Sequence, residues 1–311
     1  MQAVRIADSS KGLVVIDDRA PQPQPGRGEV LIRVAAAGII PTELSWYPTT
    51  HTKTGEPRTG AVPAHEFSGV VAAAGEEVGD LEVGHGVFGM NDWYSEGALA
   101  EFCVAPLFSV APKPGNLTYA EAASVPISAL TAWQGLFDHA KLRRGESVLI
   151  HGGSGGVGVF AIQLARLFGV HVTTTASAAN HDYVRHFGAE HVIDYHHSRF
   201  EDVVKDMDVV FDAVGGDTLA RSWRVLKPGG RMVTIVSPEA DSMDPRVQQA
   251  FFIVEPNQRQ LVEIAHLLDA GKLRVAVDSV IPFARTPEIY AGTIQRQGRG
   301  KLVVSVSEIY S

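Results

Sequence analysis

Cysteine is all but missing from this chain: among 311 residues, Cys103 stands alone. One thiol closes no intramolecular disulfide and builds no multi-cysteine zinc site, and it suits a reducing compartment. Basic charge is also short, with 27 Lys and Arg against 35 Asp and Glu for a net charge of -8, and no Lys/Arg run occurs. Phosphate-binding surfaces need a basic excess or patch, so nucleic acid is not an expected partner. No uninterrupted apolar stretch approaches the roughly 20 residues of a membrane helix. The opening MQAVRIADSSKG lacks the apolar core of a signal peptide. A soluble cytoplasmic protein with no membrane association is expected. With 45% hydrophobic and 20% charged residues, disorder is excluded, because such a chain fills a core. Its length suits two domains of ordinary size.

The first third alternates short apolar runs with Gly and Pro, as in VLIRVAAAG (30–38), FSGVVAAAG (67–75) and GALAEFCVA (97–105), which is a β texture. The pattern changes after Pro114 and Gly115. LTYAEAASVPISALTAWQGLF (117–137) is rich in Ala and Leu, opens with a Thr118 to Glu121 capping box, and predicts a helix broken at Pro126. From Ser147 strands and helices alternate, as βαβ units around a parallel sheet require. Past Pro256, Leu261, Ile264, Ala265, Leu267 and Leu268 carry the spacing of an amphipathic helix closed by Gly271. KLVVSVSEI (301–309) is β-like again. The expected architecture is α/β: a β-rich domain built from 1–121 and 275–311, with a Rossmann-type, doubly wound parallel domain over 122–274 inserted in it.

Residues 147–158 read SVLIHGGSGGVG, so Gly153, Gly155 and Gly158 form GxGxxG directly after an apolar strand and before an amphipathic helix. In that context the first glycine permits the tight turn and the second admits a pyrophosphate. The third lets helix and strand pack closely, while the helix N-terminus presents unpaired N–H groups to the anion. An acid about 20 residues on would bind the free ribose hydroxyls of NAD. The second strand, HVTTTAS, runs instead into Ala176, Ser177, Ala178, Ala179, Asn180 and His181, with Arg185 a helical turn later. Missing negative charge there points to the extra phosphate of NADP, although Ser177 and Asn180 are also ordinary helix caps.

With these motifs on view, the sequence resembles the medium-chain dehydrogenase/reductase superfamily and its zinc-independent quinone oxidoreductase branch, which includes zeta-crystallin. The resemblance spans nearly the whole chain. It is carried by GEVLIRVAAAGI, HEFSGVV, VGHGVFGM, GALAEFCV, AASVPISALTAWQGL, HGGSGGVGVFAIQLAR, GAEHVIDY, DVVFDAVGG, LKPGGRMV and GRGKLVVSV. It implies a GroES-like β-rich catalytic domain around the Rossmann domain, and NADP(H) as cofactor. It also implies Thr131 near the nicotinamide, Gly155, Gly156 and Val157 at the pyrophosphate, and Ser177 and Tyr195 at the adenosine phosphate. Val214, Phe252 and Lys301 complete the implied groove. Two departures matter. The lysine that many members place beside the 2'-phosphate is Ala178 here, leaving His181 or Arg185 as substitutes. The asparagine that several members place near the substrate is Ile40.

His65 and Glu66 sit where zinc-dependent alcohol dehydrogenases of the superfamily place a ligand and its neighbouring acid. A catalytic zinc needs three protein ligands, and the other two positions are Ile40 and Ile127, so no metal is expected. His65 reads as a hydrogen-bonded histidine at the start of a strand. His181, His186, His191, His196 and His197 cluster in sequence without HxxxH or HExxH spacing and read as a solvated edge. There is no GxSxG elbow and no histidine near Cys103 in sequence, so acyl transfer lacks its parts.

What remains is a nicotinamide and a pocket that orients an acceptor needing little acid help, a quinone or an α,β-unsaturated carbonyl. Trp46, Tyr47, Trp93 and Tyr94 are candidate pocket walls, since flat faces stack on conjugated rings. Tyr47 is the candidate proton donor. The small-molecule acceptor is the expected partner, and a homodimer the expected assembly. Two alternatives stay open at this stage: an NADP-binding redox sensor or structural protein without turnover, and an alcohol dehydrogenase with an unrecognised metal site.

Overall fold

The computed structural model describes residues 1–79, 81–236 and 244–308. The chain begins with an antiparallel pair, β1 (Ala3–Asp8) and β2 (Leu13–Asp17). β3 (Glu29–Ile39), the one-turn helix α1 (Tyr47–Thr50), β4 (Glu66–Ala74), β5 (Gly86–Met90), β6 (Phe102–Pro106) and β7 (Val110–Pro112) follow. The connection between β3 and β4 thus contains a helical turn.

The Ala-rich segment folds as expected into two helices, α2 (Tyr119–Ala123) and α3 (Pro126–Trp133). Thr118 Oγ1 accepts the Glu121 amide at 3.2 Å, and the Glu121 carboxylate accepts the Thr118 amide at 2.8 Å, so two orphan N–H groups are satisfied reciprocally. Pro126 opens the second helix, where its missing N–H would have been unpaired anyway.

β8 (Ser147–His151), α4 (Gly156–Leu167), β9 (His171–Ala176), α5 (His181–His186), β10 (His191–Asp194) and α6 (Phe200–Val203) come next. β11 (Met207–Asp212), α7 (Gly216–Ser222), β12 (Leu226–Thr234), α8 (Pro245–Ala250) and α9 (Gln258–Asp269) complete the inserted half. β13 (Val277–Pro282), α10 (Thr286–Tyr290) and β14 (Lys301–Ser305) return to the first half.

Strands β10-β9-β8-β11-β12 form a five-stranded sheet, all parallel. Every residue of β11 is buried, which suits its apolar run VVF: helices cover both faces of such a sheet. The order reverses at β8, placing a crevice at the carboxyl ends of β8 and β11. The second sheet runs β13-β14-β3-β4-β5-β7, with β6 also on β3. β14 pairs antiparallel with β3, Val303 opposite Gly38, so strands from both ends of the chain share it. Phe67, Val87, Leu99 and Leu302 fill its core, while Leu136, Ile150, Ile162 and Phe211 fill that of the inserted half.

Candidate active site

The glycine loop connects β8 to α4. Its left-handed turn falls on Gly152 (φ 79°), one residue ahead of the motif's first glycine. Gly153 instead allows close approach, because a Cβ there would strike the Thr174 hydroxyl of β9. Gly158 behaves as the motif expects: a Cβ would meet Gly152 O and stand 2.7 Å from Gly153 Cα. The first helical bond of α4 is Val159 N–H to Gly155 O at 3.0 Å. The amides of Gly156, Val157 and Gly158 lie ahead of it, at the positive end of a three-turn helix. This concave backbone fits a pyrophosphate and would be filled by side chains. Val214, about half exposed, borders the loop, with its Cγ2 3.4 Å from a Cβ built on Gly152.

Two elements close over the loop. On α3, Ser128 holds Oγ 2.9 Å from a Cβ built on Gly156. Thr131, a turn later and buried, donates to Ile127 O at 2.6 Å. From the other half, Gly300 N–H donates to Ser154 O at 2.9 Å and Gly300 pairs with Gly155 as an isolated bridge. Lys301 follows with its stem beside Gly156, and its ammonium pairs with Glu66 Oε1 of β4. Glu66 Oε2 accepts the Ile127 amide at 2.8 Å. Burial raises the Glu66 carboxyl, and the Lys301 charge opposes that rise. The position expected in the cofactor groove therefore contributes its stem to the loop and its charge to a buried pair.

At the adenosine end, Ser177 leaves β9 in extended conformation. Asn180 Oδ1 accepts from Arg299 Nε at 2.7 Å, and Ala179 O accepts from Arg299 Nη2 at 2.7 Å. Arg185, a substitute cation expected from sequence, pairs instead with Asp182 at 3.4 Å. His181 begins α5 with a buried Nε2 that has no hydrogen-bond partner. Tyr195 lies just past β10, more than half exposed, with its ring on His196. Phe252 is buried, stacks on His139 at 4.3 Å, and abuts Gly135 in the core. An extended apolar segment after α8 packs inward because α3 and its continuation offer it an apolar face.

The aromatic wall assembles in part. Trp46 meets Trp93 edge-on at 5.2 Å, and Trp93 meets the His65 ring at 5.2 Å. Trp93 Nε1 donates to Val254 O at 2.9 Å, so this ring bridges the two halves at the cleft. Tyr47 turns away: it is 55% exposed, stacks flat on His51 at 4.5 Å, and its hydroxyl lies toward Gly55. That placement follows from α1, where Trp46 precedes the helix in extended conformation and Tyr47 begins it. Tyr94 packs under Lys53, 5.5 Å from the ring centre. Arg58, which sequence reading missed, pins the wall by donating to Pro48 O (2.8 Å), Ser95 O (3.1 Å) and Glu96 (2.9 Å).

His65 stands just before β4, buried, hydrogen-bonded with the Asp92 backbone as expected while its Nδ1 is without a partner. Burial, then the nearby Arg58 charge, pushes its imidazole down to about 4, so it is neutral near pH 7. Ile127 is buried and Ile40 packs against the core of the inserted half. Among the described residues no group of three His, Cys, Asp or Glu is disposed to hold a metal. The sequence-clustered histidines scatter: His186 takes a contact from Arg274 at 2.6 Å and His197 one with Asp194 at 2.6 Å.

A second buried carboxylate, also missed, lies beneath the wall. Glu43 accepts from Tyr290 Oη at 2.6 Å and from the Ala64 amide at 3.0 Å. Burial pushes it up to about 7 against those two donors.

Comparison with known proteins returns two family matches, alcohol dehydrogenase GroES-like domain over residues 26–133 and zinc-binding dehydrogenase over residues 187–304. The chain is 32% identical over 325 residues to "NAD(P)H oxidoreductase RTN4IP1, mitochondrial" of Danio rerio, across 90% of this chain and 84% of that one. It is 32% identical over 286 residues to "2-methylene-furan-3-one reductase" of Solanum lycopersicum, across 89% and 71%. The fold superposes on the quinone oxidoreductase from Coxiella burnetii with a TM-score of 0.86 at 29% identity, covering 99% of each chain.

Proposed function

We propose an activity from one premise, that the chain belongs to the medium-chain dehydrogenase/reductase superfamily: it reduces quinones or α,β-unsaturated carbonyls with NADPH and without zinc. The observation that carries this reading is the apolar character of two of the three positions a catalytic zinc would use. Both oxygens of Glu66 are engaged, by Lys301 and by the Ile127 amide, and positions 40 and 127 carry isoleucine. A tetrahedral catalytic zinc needs three protein ligands, and isoleucine at two of those positions can supply none.

The loop of Gly152 to Gly158 would hold the pyrophosphate, Ser128 and Thr131 would flank the nicotinamide end, and residues 177–180 would take the adenosine end. A nicotinamide bound there supplies the hydride. The chain's own residues orient and enclose. Trp46 and Trp93 would present apolar faces to a conjugated acceptor, and the Trp93 bond to Val254 holds that wall against the inserted half. His65 is kept neutral by burial, and Tyr47 points outward, so neither serves as an obligatory acid. Acceptors that tolerate this are those whose conjugation already stabilises the added charge. Orientation alone can contribute several orders of magnitude.

The activities for which the Solanum lycopersicum and Coxiella burnetii relatives are named lie in the same two acceptor classes. Preference for NADPH rests on the absence of Asp and Glu from 176–181. We retain with this reading a cytoplasmic homodimer, whose assembly is checked by sedimentation. The deciding experiment follows NADPH loss across quinones, 2-alkenals and enones beside simple alcohols and unconjugated ketones, before and after dialysis against chelator. Turnover confined to conjugated acceptors and untouched by chelator is expected. Equal rates with simple alcohols, or loss of rate on removal of stoichiometric zinc, overturns the proposal, and no turnover at all returns the chain to the sensor or structural alternative.

A further inference from the structure

The cofactor site proposed above lacks a lysine at its adenosine end, where residue 178 is alanine. A guanidinium reaches the same place from the far end of the chain. Arg299 stands between Gly298 (φ 71°) and Gly300 (φ 74°), both in the left-handed region that glycine adopts without strain. A Cβ on Gly300 would strike Ala276 O, so this turn is tightly packed. It is tied down on both sides of Arg299 by the Asp278 carboxylate accepting the Arg299 amide at 3.1 Å and by Gly300 donating to Ser154 O in the glycine loop.

From this anchored turn the side chain crosses to the inserted half. Nε donates to Asn180 Oδ1 and Nη2 to Ala179 O, and the guanidinium lies over Tyr183, 5.2 Å from the ring centre. Two of the five donors of the fork are thereby spent on holding it in place. Asp278 takes the backbone amide and makes no ion pair with the guanidinium, and among the described residues no other carboxylate does. The Tyr183 hydroxyl and His181 Nε2, on the helix that follows this turn, are buried and also lack partners. A half-buried guanidinium with no ion-pair partner among the described residues, lying over a tyrosine whose hydroxyl is also unpartnered, is open to an anion.

We infer that Arg299 receives the 2'-phosphate of NADPH and thereby sets the preference for NADPH over NADH. This rests on the cofactor reading above. In folds of this kind the residues following the second strand meet the ribose, and an arginine there accommodates the phosphate of NADP. The planar fork matches phosphate geometry through paired N–H donors. Asn180 and Ala179 act as positioning groups: they aim the fork over the 177–180 turn. Because Arg299 leads directly into β14, the phosphate also joins the two halves at a second point besides the glycine loop.

The test is calorimetric titration of the full-length protein and of Arg299→Gln and Arg299→Lys with NADPH, NADH and 2',5'-ADP, the last carrying the phosphate without a nicotinamide. Loss of charge-assisted hydrogen bonds predicts about 10- to 100-fold weaker binding of NADPH and 2',5'-ADP by Arg299→Gln. NADH affinity should stay within about twofold, and Arg299→Lys should recover part of the loss, as a point charge replaces a fork. If the unaltered protein binds NADPH and NADH equally, the cofactor reading fails and this inference with it. If NADPH is preferred but Arg299→Gln leaves the ratio unchanged, or weakens both cofactors alike, the inference alone is overturned. Should Arg299→Gln not fold, Asn180→Ala releases the aim of the fork and must lower the NADPH to NADH ratio, and an unchanged ratio refutes the assignment.

Discussion

Replacing Lys301 by methionine should destabilise the protein by about 3 to 5 kcal/mol, because it leaves a buried carboxylate without its counter-charge. The Lys301 side chain is 9% exposed and that of Glu66 0%. Once the ammonium is gone, Glu66 retains a single donor, the Ile127 amide at 2.8 Å. Space offers no relief, since a Cβ on Gly38 would already lie 2.5 Å from Glu66 Oε1. The group's remaining escape is to take a proton. Burial raises its carboxyl in the folded protein and Lys301 opposes that rise, so the variant carries a still higher folded value. A carboxyl raised on folding contributes stability that is full below its unfolded value and is lost as pH rises through the folded one. The penalty of Lys301→Met should therefore be small at about pH 5 and larger at about pH 8. Adding Glu66→Gln removes the stranded charge and should restore much of the loss, although no ion pair remains. Urea unfolding followed by tryptophan fluorescence, on the parent, both single variants and the double variant at the two pH values, supplies the cycle. A loss under about 1 kcal/mol at the higher pH refutes the reasoning, as does a double variant no more stable than Lys301→Met.

Glu43 gives a second pH signature: with its folded value pushed up to about 7, the protein should lose stability as pH rises from the ordinary carboxyl range to about 7. Glu43→Gln, which resembles the neutral carboxyl, should remove that portion of the slope in melts taken across the range, and an unchanged slope would show that Glu43 does not titrate there. Gly158→Ala should cut NADPH affinity at least tenfold or so and destabilise by about 1 to 3 kcal/mol, since the new methyl meets Gly152 O and Gly153; calorimetry and melting read both effects, and normal cofactor binding would contradict the packing argument. Tyr47→Phe should lower kcat by about tenfold or less, against the ~100-fold or more expected for a working general acid. An inactive Tyr47→Phe that binds NADPH normally would return the proton-donor role to that hydroxyl.

What the chain declared by itself was whatever depends on neighbours in sequence. The Thr118 to Glu121 capping box, the break at Pro126, the amphipathic spacing of 258–269 and the glycine loop were legible because each is a local demand of backbone geometry or periodicity. The loop also announced its ligand class, since glycines between strand and helix have few other uses. Even there the turn shifted, with the positive φ on Gly152 rather than Gly153, because Thr174 of the adjoining strand occupies the space beside Gly153. Tertiary structure decided which distant groups share a place. Arg299 meets Asn180 across 119 residues and Trp93 meets Val254 across 161. Lys301 finds Glu66 only because β14 and β4 both pair with β3. The same assembly left Tyr47 exposed against His51 and buried Phe252 against His139. Such pairings leave no periodic trace, because folding selects them through shared burial and charge compensation between segments that are independent until the sheets form.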